Sequence, residues 1–196
     1  MKLTAMMLII GAVGYAQSDA IDRKVTVCTE GDAAALGAAL RAQTLVSKMF
    51  AEIGVTIEWR YGLRNCPAES IRVSLSRSTA TTLKPGALAY ALPYEGTHIE
   101  VFYDRISKNW ELAMVPAVLG HVLVHEITHI LEGFSRHSAY GVMKAHWDER
   151  DYFLMKRKPL AFAPEDLDLI YRGLTARARG AMVARNVPNT TLAGQQ

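Results

Sequence analysis

The residues best suited to chemistry lie in the segment HEITH, which runs from His125 to His129. Two histidines four residues apart lie on one face of a helix, about one turn from each other. Their imidazoles can therefore reach a single metal ion at the roughly 2.0–2.1 Å that zinc prefers. Glu126 lies beside the same site, where a carboxylate can take a proton from a water that the metal activates. The spacing predicts a Zn²⁺ site with Glu126 as the general base.

The helix that must carry this segment is almost entirely apolar from Ala117 to Leu131, so we expect it to be buried. Pro116 suits the first turn of a helix, and Gly133 suits the left-handed residue that ends one. Burying an unpaired polar side chain costs roughly 2–7 kcal/mol, and a shared metal ion would supply the missing partner. The alternative is that these histidines are core residues with hydrogen bonds of their own.

A catalytic zinc ion has three protein ligands and one open position. His137 follows the predicted glycine turn and can come round to the metal. A second possibility is a carboxylate from further along the chain. The candidates are Glu149, Asp148, Asp151 and Glu165.

Three other histidines receive weaker assignments. His121 lies four residues before His125 and is predicted to be a packed helix residue rather than a ligand. His146 is predicted to lie at the surface or behind the ligands, and His98 at the start of a strand has no predicted role.

The stretch from His125 to Met143, HEITHILEGFSRHSAYGVM, resembles the metzincin clan of zinc endopeptidases. That clan joins a zinc-binding helix, a glycine turn, a third histidine and a downstream Met-turn. The resemblance implies zinc binding by three residues, which are His125, His129 and His137. It also implies that Glu126 is the general base, Gly133 the turning glycine and Met143 the Met-turn residue.

The spacing departs from the usual metzincin pattern in two places. Gly133 lies four residues after His129 instead of three, and His137 lies eight after it instead of six. Ser135 occupies the usual position of the third histidine, and hydroxyl groups are poor zinc ligands. The resemblance therefore implies a variant of the pattern with a longer ligand loop.

The elements around this segment predict an α/β fold. Alternating patterns predict strands at 24–28, 55–60, Ile71–Ser76, 87–92 and 98–103, and helical periods predict helices at 33–53 and 164–176. The strands have one apolar and one polar face, so we expect the helices to cover mainly one side of the sheet. The metzincin resemblance implies the same architecture, a single α+β domain with a mostly parallel, twisted five-stranded sheet, an active-site helix and a C-terminal helix.

Residues 1–16 have the charged, apolar and small-residue parts of a cleavable signal peptide. We expect a peptidase domain at 21–179, a disordered tail at 180–196, and no stable membrane insertion once the signal is removed. Cys28 and Cys66 are either one disulfide, as a secreted or periplasmic protein allows, or two separate thiols.

The expected function is that of a secreted zinc endopeptidase acting on a peptide or protein substrate. A net charge of +3 without a dense basic run argues against nucleic acid as a partner. The apolar segment 86–93 could offer an edge to which an extended peptide adds as a strand, or could be an ordinary edge strand. The alternative function is a non-catalytic zinc-binding domain that keeps a peptidase fold as a scaffold or binding protein.

Overall fold

The computed structural model describes residues 23–31 and 33–186. The predicted signal peptide lies outside the described residues, as do residues 187–196 of the predicted tail. Within the described part of the chain, no helix combines the length and apolar character needed to cross a membrane.

Five strands and five helices make up the described chain. In chain order they are β1 (Lys24–Glu30), α1 (Ala33–Glu52), β2 (Thr56–Tyr61), β3 (Ile71–Ser76), β4 (Ala89–Ala91), β5 (His98–Phe102), α2 (Tyr103–Asn109), α3 (Val115–Glu132), α4 (Glu149–Met155) and α5 (Pro164–Asn186).

The strands form one sheet in the order β2-β1-β3-β5-β4. β1 pairs in parallel with β2 and β3, and β3 pairs in parallel with β5. Only β4 is antiparallel, and it lies at the edge beside β5. The predicted α/β fold with a mostly parallel five-stranded sheet is confirmed.

Alternation along the strands separates an apolar face from a polar one. Side chains such as Val25, Val27 and Val73 belong to the same buried cluster as the apolar residues of α1 and α3. The alternate positions carry polar pairs, for example the Thr26 hydroxyl donating to Glu58 at 3.2 Å. The helices of the core therefore pack on the apolar face, as a sheet with a single covered side requires.

Three differences from the predicted elements exceed a shift of one or two residues at a boundary. β4 is shorter than the predicted 87–92, and α2, which follows directly from β5, has no counterpart in the predicted set. α5 continues beyond residue 176, its predicted end, because this stretch is rich in Ala and Arg, which favour helix without needing an apolar face. Residue 180, the predicted start of the tail, therefore lies within α5.

The close crossing of α3 and α5 depends on Gly173. A Cβ atom at this position would lie 1.6 Å from the carbonyl oxygen of Leu131. No other residue type could bring α5 so near the end of α3, because every other side chain begins with that atom.

Cys28 and Cys66 form a disulfide with their Cα atoms 6.0 Å apart. The bond ties the centre of β1 to the loop that follows β2. This pairing confirms the first of the two alternatives left open by the sequence.

Candidate metal centre

Helix α3 places the HEITH segment in the interior, as predicted. It begins at Val115 with a proline in its first turn and ends at Glu132, and the capping residue Gly133 that follows has a φ of 75°. The Gly133 N–H donates to the carbonyl of His129 at 3.0 Å. This left-handed residue turns the chain back toward the helix end, as a glycine at this position permits.

The rings of His125 and His129 face each other through their Nε2 atoms, which lie 3.0 Å apart. The Nδ1 of His125 lies 2.9 Å from the carbonyl oxygen of Val142, and the Nδ1 of His129 lies 3.1 Å from that of Phe134. A carbonyl oxygen only accepts, so each Nδ1 must carry the hydrogen. In the neutral rings both Nε2 atoms are therefore bare acceptors, and neither can donate to the other.

Burial keeps both rings neutral at physiological pH. It lowers the pKa of His125 to about 4 and the pKa of His129 to about 3, with the mutual repulsion of the ring charges adding to the shift of His129. Two bare nitrogens facing each other repel, and a cation bound to both removes that repulsion. Nitrogens bound to one tetrahedral zinc ion lie roughly 3.3 Å apart, given its bond lengths, so the observed spacing fits zinc.

His137 completes a group of three. One nitrogen from each of His125, His129 and His137 lies within 4.8 Å of the others. The ring centroid of His137 is 5.3 Å from that of His125 and 5.0 Å from that of His129. Unlike its two neighbours, His137 is exposed on one side. Three nitrogen ligands and one open side are the donor set of a catalytic zinc site.

The carboxylates considered as alternative ligands do not join this group. Within residues 23–31 and 33–186, the three histidines are the only cluster of three metal-binding side chains. Asp148 is the N-cap of α4, and Asp151 completes the capping box and contacts Lys144. Glu149 lies in the first turn of α4, where a negative charge favours the helix dipole.

His121 is a packed helix residue, as predicted. It is 0% exposed, and both of its ring nitrogens already have partners. Nδ1 lies 2.7 Å from the carbonyl oxygen of Ala117, and Nε2 accepts from the Leu160 N–H at 3.0 Å. No nitrogen is left to bind a metal.

The turn around Met143 supports the ring of His125. Gly141 has a φ of 78°, and a Cβ there would lie 2.3 Å from the carbonyl oxygen of Ala161. This conformation aims the Val142 carbonyl at His125, and the Trp147 indole N–H donates to the same oxygen at 3.3 Å. Such a partner behind a metal-binding histidine fixes its tautomer and orientation.

Glu126 lies beside the histidines and is 8% exposed. Burial raises its pKa to about 8. Carboxyl groups that are buried at the wall of a cleft and strongly perturbed are typical of catalytic acids and bases.

A cleft of about 420 Å³ opens onto His125, Glu126 and His137. One wall is the segment 84–89, which leads into edge strand β4, and the other contains Trp147 and Tyr152. A larger depression of about 530 Å³ on the carboxyl-end side of β1 and β3 contains no histidine.

The two aromatic residues of the cleft wall had no role in the sequence-based assignment. The Trp147 ring packs edge-on against His125 with the centroids 5.7 Å apart, and Tyr152 packs edge-on against Trp147 at 6.3 Å. Their one sequence signal is an aromatic pair just downstream of the motif, in WDERDY. Such a pattern does not distinguish a cleft wall from core packing.

The crystal structure of archaemetzincin from Methanopyrus kandleri is similar to this chain with a TM-score of 0.54 at 17% sequence identity. The match covers 78% of this chain and 97% of the archaemetzincin chain. The chain has an archaemetzincin-like fold. No protein-family model matches the sequence, and no curated protein matches it significantly. The archaemetzincin-like fold and the cluster of three histidines together agree with the metzincin resemblance of residues 125–143.

Proposed function

We propose that this protein is a zinc-dependent endopeptidase with His125, His129 and His137 as metal ligands and Glu126 as the general base. One observation carries the proposal. Two buried, neutral imidazoles turn their bare Nε2 atoms toward each other at 3.0 Å, with a third histidine beside them and an open cleft in front. A closed structural zinc site would have a fourth protein ligand instead of a cleft.

Zinc, when bound, polarises the scissile carbonyl, makes a water molecule more acidic and favours the ionised form of a nearby carboxylate. The Val142 and Phe134 carbonyls hold the two α3 rings in the tautomer that leaves Nε2 free. The carboxylate of Glu126 takes a proton from water and delivers it to the amine that leaves. The surrounding apolar core excludes bulk water from the inner side of Glu126.

The proposed substrate is an extended peptide or protein segment that lies along β4. This strand is at the edge of the sheet and leads out of the cleft wall. An unpaired strand edge offers backbone donors and acceptors to an added strand. The antiparallel pairing of β4 with β5 leaves its other side available for such an addition.

We also propose that the protein acts in an oxidising compartment, outside the cell or in the periplasm. The Cys28–Cys66 disulfide supports this location, because disulfides are rare in reducing compartments. The signal-like pattern of residues 1–16 supports it independently.

The proposal is tested with Glu126→Gln, which keeps the size of the side chain but removes its basic carboxylate. Zinc content is measured after dialysis, and hydrolysis is measured on casein and on a library of unstructured peptides. We expect the variant to retain zinc while its kcat falls by roughly 10²–10⁴-fold, the usual contribution of a general base. Glu149→Gln is the matched control and should keep both zinc and activity, because Glu149 lies outside the cluster of ligands.

Two outcomes contradict the assignment. If the wild-type protein binds zinc but cleaves no substrate, the non-catalytic zinc-binding domain becomes the better description. If Glu126→Gln cleaves as fast as the wild type, another group is the base.

A further inference from the structure

The third histidine is held differently from the other two. His125 and His129 each donate through Nδ1 to a backbone carbonyl. Neither ring nitrogen of His137 has such a partner among the described residues, and this ring is exposed on one side. The loop that carries it is also longer than the usual metzincin loop. Something other than a bond to the ring must therefore keep His137 facing the other two.

The residues on either side of His137 converge on one buried carboxylate. The Ser138 hydroxyl donates to Oδ1 of Asp166, and Nη2 of Arg136 donates to the same oxygen at 2.7 Å. Arg136 also donates through Nη1 to the Ser138 hydroxyl at 3.2 Å. Asp166 is 0% exposed and belongs to the first turn of α5. The loop is thus anchored immediately before and immediately after the ligand.

A second buried carboxylate reaches Arg136 from the end of the active-site helix. Oε2 of Glu132 lies 3.8 Å from Nε of Arg136, and the Glu132 side chain is 0% exposed. Neither oxygen of Glu132 has a hydrogen-bond partner among the described residues. The Arg136 guanidinium therefore lies between two buried carboxylates, one from α3 and one from α5. Leaving either buried carboxylate without its cationic partner is costly, so the two ion pairs hold the guanidinium in place.

We propose that Asp166 is a positioning residue for the metal centre, acting through Ser138 and Arg136 to hold His137 as the third ligand. The inference rests on the proposed zinc site. A ligand ring without a hydrogen-bond partner must be oriented by its backbone. Here the side chains of the residues on both sides of His137 bind one buried carboxylate, that of Asp166, which fixes the backbone between them. Outer partners of metal ligands typically contribute 10- to 100-fold in metal affinity.

A purely structural role for Asp166 is the competing interpretation. Its other oxygen accepts from the Ala163 N–H at 2.9 Å, which is a helix-capping contact at the start of α5. Loss of this cap would weaken the fold as a whole, and loss of the negative charge would weaken attraction for any cation. Both effects would lower zinc affinity to the same degree whether or not His137 is present.

The two interpretations are separated by a double-mutant cycle on zinc affinity. Asp166→Asn is introduced into the wild type and into His137→Ala, and zinc affinity is measured by competition with a chromophoric chelator. We expect Asp166→Asn to weaken zinc binding by roughly 10- to 100-fold in the wild type. In His137→Ala it should cause no further loss beyond about twofold, because the ligand on which it acts is already gone.

Asp104→Asn is the matched control. Asp104 also lies in the first turn of a helix and accepts from a loop hydroxyl, that of Thr79, but it has no link to the histidines. It should leave zinc affinity unchanged. Ser138→Ala removes only the hydroxyl that links the loop to Asp166, so it tests the same coupling if Asp166→Asn does not fold.

An equal loss of affinity in both backgrounds would overturn the positioning role, and so would wild-type affinity in both Asp166→Asn and Ser138→Ala. A different result marks failure of the zinc site itself. If His137→Ala alone binds zinc as tightly as the wild type, His137 is not a ligand and both proposals fall.

Discussion

At the residue scale, the hydrogen bonds of each histidine ring decide whether it has a nitrogen available for a metal ion. His121, His125 and His129 lie on one helix at intervals of four residues. Both ring nitrogens of His121 form hydrogen bonds with backbone groups, whereas His125 and His129 each have one ring nitrogen, Nε2, without a backbone partner. Residues of one type and spacing thus divide into a structural residue and two candidate ligands. The difference comes from the Leu160 N–H, which meets only His121.

Glu126 predicts a pH dependence of the metal-free protein. Its pKa is about 8 in the folded state against an ordinary value of 4.5. Between these values the folded chain holds a proton that the unfolded chain has lost. The stability due to this group is therefore complete below pH 4.5 and declines as the pH rises toward 8, by up to about 1.4 kcal/mol per pH unit.

Urea unfolding of the chelator-treated protein from pH 6.5 to 8 measures this decline. Unfolded histidines, with an ordinary pKa of 6.5, still titrate in the lower part of this range, and so does Glu132, whose pKa burial raises to about 7. The contribution of Glu126 is therefore read from the difference between the wild-type and Glu126→Gln profiles, because both proteins share these other groups. The free energy of unfolding of the wild type should fall relative to that of Glu126→Gln as the pH rises from 6.5 to 8. Parallel profiles for the two proteins would contradict the raised pKa.

At the element scale, the edge strand decides how a substrate can bind. Leu88 accepts from the Phe102 N–H at 2.8 Å, and the Leu92 N–H donates to His98 at 3.0 Å, so these even-numbered residues face β5. In an extended strand the odd-numbered residues direct their backbone groups the other way. The N–H of Ala89, which lines the cleft, therefore points toward the proposed peptide.

Ala89→Pro removes this N–H without removing a bond to β5, because proline is tolerated at outward-facing positions of an edge strand. One lost hydrogen bond costs ~0.5–1.5 kcal/mol. We therefore expect kcat/KM for peptide hydrolysis to fall by roughly 2- to 10-fold. Ala89→Val, which adds bulk but keeps the N–H, is the control and should lose less. Equal losses in the two variants would show that β4 does not bind the peptide backbone.

At the scale of the whole molecule, the sheet separates the disulfide from the proposed metal centre. Cys28 alternates with Val25 and Val27, which face the core shared with α3, so its side chain lies on the opposite side of the sheet. β1 is also separated from the edge strand of the cleft by β3 and β5. Stability and metal binding should therefore respond separately to loss of the bond.

The double variant Cys28→Ala/Cys66→Ala tests this separation. The bond closes a loop with a sequence separation of 38. For a loop of this length the chain-entropy model gives about 4 kcal/mol of stability. We expect urea unfolding to show a loss of this order, with zinc affinity within about twofold of the wild type. Reducing the wild type with a thiol is the control for the missing sulfur atoms, and a large fall in zinc affinity in both cases would mean that the two regions are coupled.

Much of this architecture follows from local sequence patterns. Alternation along β1, β2, β3 and β5 predicts the strands, because a sheet with one covered face repeats every two residues. The apolar run, Pro116 and Gly133 predict α3 and its end. The spacing of His125 and His129 predicts a shared site, because four residues are about one helical turn. These features depend on residues close to one another in sequence, so they can be predicted without knowing the contacts between distant segments.

Only the tertiary structure decided the rest, because it depends on contacts between segments far apart in sequence. The sequence left Glu149 and Asp151 open as ligands, and the fold places them at the start of α4 while bringing His137 to the α3 histidines. The backbone partner of His121 comes from residue 160, and the anchor of the His137 loop comes from Asp166. HEITH by itself thus predicts two of the proposed ligands and the proposed base, whereas the position of the proposed third ligand and of the groups around it is set by long-range packing.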